Sequence, residues 1–77
     1  MKVTLENTDK VVLITVDGVT VPARIWEGVT AHGILCHAFI TRIAVHQDDD
    51  AAEFERDLKE QRRPSAVVDA IPSRLIL

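Results

Sequence analysis

The sequence predicts an α+β domain. It would be a four-stranded antiparallel β-meander with one amphipathic helix on one face, a short second helical turn and a C-terminal strand or tail. Three observations carry this. Asp17-Gly18 stands between two β-branched runs, VVLITV and VTVPARIW, the strongest short-range hairpin signal. ILCHAFITRIAV is long, apolar and free of helix caps. QDDDAAEFERDLKEQRRP opens on acids, carries an apolar stripe and stops at proline.

The strands are expected at residues 2–6, 11–16, 19–27 and 34–46. KVTLE alternates polar and apolar residues, and ENTDK is turn-rich. A two-residue type I′ turn at Asp17-Gly18 pairs Val16 with Val19, Ile14 with Val21 and Val12 with Ala23. All six side chains are apolar and share one face. Leu13 with Pro22, Thr15 with Thr20 and Val11 with Arg24 share the other. Turn chemistry and hydrophobic pattern therefore choose the same register. Pro22 has no N–H, and its loss falls on the edge away from the hairpin partner. A bulge or an open edge is expected there. VTAHG is expected to loop into the long strand.

The helix is expected over 50–63. The QDDD run supplies an N-cap and places negative charge at the positive end of the helix. Ala51, Phe54 and Leu58 form its apolar stripe, Lys59, Arg62 and Arg63 favour its C-terminal end, and Pro64 stops it. Ser65 caps a second short helix over 65–70, and a last strand over 73–77 completes the single domain.

Composition narrows the function classes. Seventy-seven residues bury roughly 60% of their unfolded surface, so the core is thin. The long strand is apolar on both faces, with Ile34, Cys36, Ala38 and Ile40 on one and Leu35, Phe39, Ile43 and Val45 on the other. One helix covers only one of them, so a second copy is expected to cover the other, making a homodimer. One cysteine allows no internal disulfide, which fits a reducing, cytoplasmic location. VVLITV is too short for a signal peptide, and no run approaches the ~20 apolar residues of a membrane span. A net charge of -3 and only three aromatic residues disfavour binding to nucleic acid.

All three histidines and the cysteine lie in AHGILCHAFITRIAVH. On a strand, Cys36 and His37 point to opposite sides, and Cys36 and His46 are ~33 Å apart. His32 belongs to the loop. No metal site or cofactor is expected, because a structural zinc wants four ligands. His37 is the one candidate general base. No catalytic motif accompanies it, so no catalytic residue is assigned. The Asp48–Asp50 run lacks the alternating oxygens and central glycine of a calcium loop.

Trp26 is the candidate binding residue. It shares a face with Arg24, a pairing common at interface hot spots. With the acids Asp48, Asp49, Asp50, Glu53 and Asp57 it outlines a possible protein-binding surface. The expected function is a non-enzymatic interaction module. Two alternatives are a small enzyme or metal protein using His37 with groups from a second copy, and an acidic mimic of nucleic acid displaying the Asp48–Glu60 carboxylates.

As a whole, NTDKVV, VPARIWEG, HAFITRIAV, FERDL and IPSRLIL resemble small uncharacterised proteins encoded in phages and prophages of Gram-negative bacteria. The resemblance supplies no site residues. It implies an accessory protein that binds a host or phage protein.

Overall fold

In a computed structural model that describes all 77 residues, Asp17 and Gly18 both occupy left-handed backbone, with φ of 51° and 79°. That is the type I′ geometry, whose twist matches the flanking strands. It joins β1 (Val3–Val16) to β2 (Val19–Thr30). The register is the expected one, Val16 opposite Val19 and Val12 opposite Ala23. Thr15 and Thr20 bond through their hydroxyls at 2.7 Å on the second face.

KVTLE and VVLITV are one strand, not two. Asn7 pairs with Trp26 and Val11 with Arg24, so three residues of β1 stand opposite Ile25 alone. Two residues are inserted, and the side-chain alternation survives on both sides of the bulge. Thr8, fully buried, repairs the ladder there: its hydroxyl donates to the Ile25 carbonyl. The turn-like ENTDK is thus a bulge inside a strand.

β2 continues past Gly28 to Thr30 because Gly28 has no side chain. A Cβ there would lie 1.7 Å from the Thr4 carbonyl oxygen. After Gly33 (φ 80°) the chain returns as β3 (Leu35–Ile40), antiparallel to β2. β3 is six residues, shorter than expected. Its last pair is Arg24 with Ile40, and the next hydrogen-bonded pair would match Pro22 with Arg42. Proline has no N–H for that bond, so pairing ends there and the edge beside Pro22 stays open.

The helix is also shorter than 50–63. α1 spans Ala51–Lys59, with the Asp50 carboxylate accepting from the N–H groups of Ala52 and Glu53 at 3.0 and 3.1 Å. Residues 60–64 leave the helix because Arg62 pairs with β1 instead. Its N–H donates to the Asn7 carbonyl, and its carbonyl accepts from Asp9 N–H at 3.0 Å. Arg63, preceding proline, is in any case disfavoured as helix. α2 (Ala66–Asp69) follows, capped by Ser65. β4 (Arg74–Ile76) then pairs in parallel with Leu13–Thr15. The sheet is therefore mixed, in the order β3-β2-β1-β4.

The two helices take one sheet face each. Val68 of α2 seals Val12, Ile14, Ala23 and Ile25 on the core face, with Val21, Phe39, Ile71 and Leu75 around them. α1 lies over the opposite face, that of Trp26, where Asn7 Nδ2 donates to the Leu58 carbonyl at 2.8 Å. The single face-covering helix expected from the sequence is thus two helices, and the shorter one closes the core. No helix is long and apolar enough to cross a membrane.

Gly28→Ala drives a methyl group into the Thr4 carbonyl. It should cost about 3 kcal/mol, the upper end of overpacking penalties, read as a lowered urea midpoint.

Candidate functional site

Three parts of the chain build a continuous surface on the Trp26 face: the β1–β2 pair, the segment after β3, and α1. Strand alternation puts Trp26 and Asn7 opposite one another there. The segment after β3 brings Ile43 over the same face, and α1 adds Phe54 and Leu58, one turn apart. Together they line an open groove of about 780 Å³ between sheet and helix. Trp26, Phe54 and Leu58 are each half-buried. A smaller hollow of about 300 Å³, sharing Phe54 and Asp57 with the groove, runs along the helix flank past Asp49, Asp50 and Glu53.

The charge on this surface is mixed but mainly acidic: Glu6, Asp57 and Glu60 line the groove together with Lys59 and Arg62. Glu53 and Asp57 stand four residues apart, hence on one side of α1, and Asp49, in the bend before the helix, lines the same flank hollow. No cation is paired with any of them, since both ion pairs of the chain belong to Arg62. Arg62 itself, on the groove wall, is already bound by Glu6 and Glu27. The groove therefore offers apolar and aromatic surface beside unneutralised carboxylates.

The residues expected to form a binding surface divide. Trp26, Asp49, Glu53 and Asp57 come together around Phe54. Asp50 does too, but its carboxylate is occupied as the helix cap. Arg24 lies on the far side of Trp26, in a neighbouring groove of about 370 Å³. Its guanidinium donates to the Thr8 carbonyl at 2.9 Å, so it serves the bulge. Asp48 sits in the turn before α1 and lines none of these hollows.

The histidines do not converge. Cys36 and His37 face opposite sides of β3, paired with Gly28 and Glu27 respectively. His37 is exposed and meets Phe39 edge-on at 5.5 Å. His32 lies in the β2–β3 turn, and His46 lies beyond the end of β3. No three His, Cys, Asp or Glu side chains gather around a point that could hold a metal ion.

A polar cluster that the sequence did not reveal stands on the core face. Glu27 is only 8% exposed. Its carboxylate accepts from Ser65 N–H at 2.8 Å, from the Ser65 hydroxyl, and from Arg62 Nη1 at 3.0 Å. Arg62 Nε reaches Glu6 at 3.3 Å. Burial alone pushes the Glu27 carboxyl up. The Ser65 and Arg62 donors outweigh it and hold its pKa below the ordinary carboxylate value. One signal was available: Glu27 shares strand parity with Ala23 and Ile25, so an acid was due to point at the core. Ser65 also accepts from Val68 N–H, joining the Glu27 contact to the cap of α2.

No family model, curated protein or solved structure matches the chain.

Glu27→Gln keeps the shape and removes the charge. It should cost about 1–3 kcal/mol by urea unfolding at neutral pH. A depressed pKa contributes stability above the unfolded carboxylate value, about 4.3, and loses it as pH falls through the lower folded value. The gap between wild type and Glu27→Gln should therefore close below about pH 4.

Proposed function

We propose that the chain is a non-enzymatic interaction module that holds a basic, amphipathic segment of a protein partner in the Trp26 groove. One observation carries the reading. Half-buried aromatic and aliphatic side chains line a groove beside Asp49, Glu53 and Asp57, which no cation neutralises. Trp26, Phe54, Leu58 and Ile43 suit apolar side chains. The carboxylate row suits lysine or arginine, whose charge both steers the encounter and lies against aromatic faces. The likeness to phage and prophage proteins directs the search for this partner to host and phage proteins.

Trp26 is the only tryptophan, so its fluorescence reports on the groove directly. A short synthetic peptide of alternating leucine and arginine should shift the emission in a saturable way, less so at high salt. Paired Glu53→Lys and Asp57→Lys changes should weaken binding about tenfold, or 1.4 kcal/mol. By calorimetry, Trp26→Ala should weaken it about thirtyfold, the scale of a hot-spot loss near 2 kcal/mol. Equal binding of a leucine–glutamate peptide overturns the reading. An acidic mimic of nucleic acid would respond to the lysine substitutions and be indifferent to Trp26→Ala.

A further inference from the structure

The outer edge of β3 is a run of sheet backbone without a partner. Thr30 N–H donates to the Ile34 carbonyl at 2.9 Å, which fixes the alternation that follows. Cys36, Ala38 and Ile40 turn their N–H and C=O groups toward Gly28, Trp26 and Arg24 of β2. Leu35, His37 and Phe39 turn theirs outward, and no loop, cap or further strand of the chain bonds them.

Sheet edges are usually guarded by lysine, proline, a bulge or shortness. The other edge of this sheet is guarded: Arg62 and β4 cover much of β1, and β4 is three residues long with Arg74 at its start. LCHAFI has no lysine, proline, bulge or formal charge. Its first residue, Leu35, is 84% exposed, and Ile34 just before it 64%.

We propose that the β3 edge pairs antiparallel with the β3 edge of a second copy, across a two-fold axis at His37. The outward groups form a self-complementary set centred on that residue. Leu35 and Phe39 are equidistant from His37. In this register Leu35 of one copy meets Phe39 of the other, and His37 meets His37. All three outward residues of both strands are then bonded. A two-residue slip strands one of them, and a one-residue slip sets unlike faces together. The register also gives exposed Leu35 an apolar neighbour, because Phe39 packs on the core. The result is one eight-stranded sheet with both Trp26 grooves opening on the same side. The edge pairing stands independently of what the grooves bind.

Solution mass by light scattering, across a hundredfold dilution, should stay near twice 8.6 kDa. The N–H of His37 serves no bond inside the chain, so His37→Pro removes the central donor without breaking the β2–β3 ladder. Leu35→Lys places a charge on the edge. Each should raise the dimer dissociation constant at least about tenfold while circular dichroism stays native. The register has its own test. Cys36 of one copy faces Ala38 of the other in a non-hydrogen-bonded pair, with Cα atoms ~4.5 Å apart, within disulfide range. Ala38→Cys should therefore form a covalent dimer on mild oxidation, and Cys36→Ser combined with Ala38→Cys should not. A monomeric wild type, a dimer that both edge variants leave intact, or equal cross-linking of the double variant overturns the proposal.

Discussion

The carboxylate of Glu27 ties the later half of the chain to the hairpin. Past residue 50 only Val68 is fully buried, and α1 buries no side chain completely. Apolar packing alone is thin support for so much chain. Polar contacts supply the rest, and they gather at the β1 bulge. Glu27 takes three donors from Ser65 and Arg62, while the Arg62 backbone bridges the strand beside Thr8. Lys10 then donates to the Asp69 carbonyl, beside the end of α2. A carboxylate so nearly buried is costly unless its lone pairs are met. The need of Glu27 and the need of the C-terminal segment for an anchor answer each other.

That anchor explains the topology. After α1 the chain runs along the free edge of β1, touching it at Arg62 and again at β4. Both contacts run parallel to β1, and α2 arches over the core face between them. A parallel edge strand is the natural outcome, because the chain enters at the bulge and travels toward the Asp17-Gly18 turn. Beside the bulge, the backbone of Asn7 and Asp9 bonds Arg62. The bulge's two-residue insertion keeps Val12 and Ile14 in phase with Ala23 and Ile25, so the core face is unbroken.

What was legible in the sequence was local. The hairpin register followed from Asp17-Gly18 and alternating valines, two signals that agree. Pro22 marked an edge left open on the side away from the hairpin partner, though not how short β3 would be. The QDDD run and Ser65 marked helix starts through their own side chains. What was hidden depended on partners far along the chain. Nothing in RRPSAV tells that Arg62 prefers Glu27 and Asn7 to a last helical turn. KVTLE and VVLITV looked separate because ENTDK has turn composition, and only Thr8 bonding to Ile25 shows how a strand carries it. The same division holds for the surface. Periodicity put Glu53 and Asp57 on one side of α1 and alternation put Trp26 and Asn7 on one face. That these two surfaces meet was beyond either pattern, since both faces of the sheet are apolar enough to receive a helix.

The allocation of apolar surface then constrains how such a small chain works. A two-faced sheet would ordinarily press a second copy against whichever face the helix leaves bare. Here α2 takes the core face and α1 the other, so neither face is left for broad stacking. Both covers are narrow. α2 is a single turn, and α1 rests on Phe54 and Leu58 alone. The surface that stays open lies at their margins, in the groove beside Trp26 and along the uncharged edge of β3. These two sites differ in kind. The groove offers side-chain chemistry, aromatic and mainly acidic, so the partner proposed for it would be chosen by composition. The edge offers backbone hydrogen bonds, and so favours a strand whose donors and acceptors repeat its own spacing. A second copy paired at β3 would meet that demand without occupying the groove, so the two proposals are compatible in one molecule.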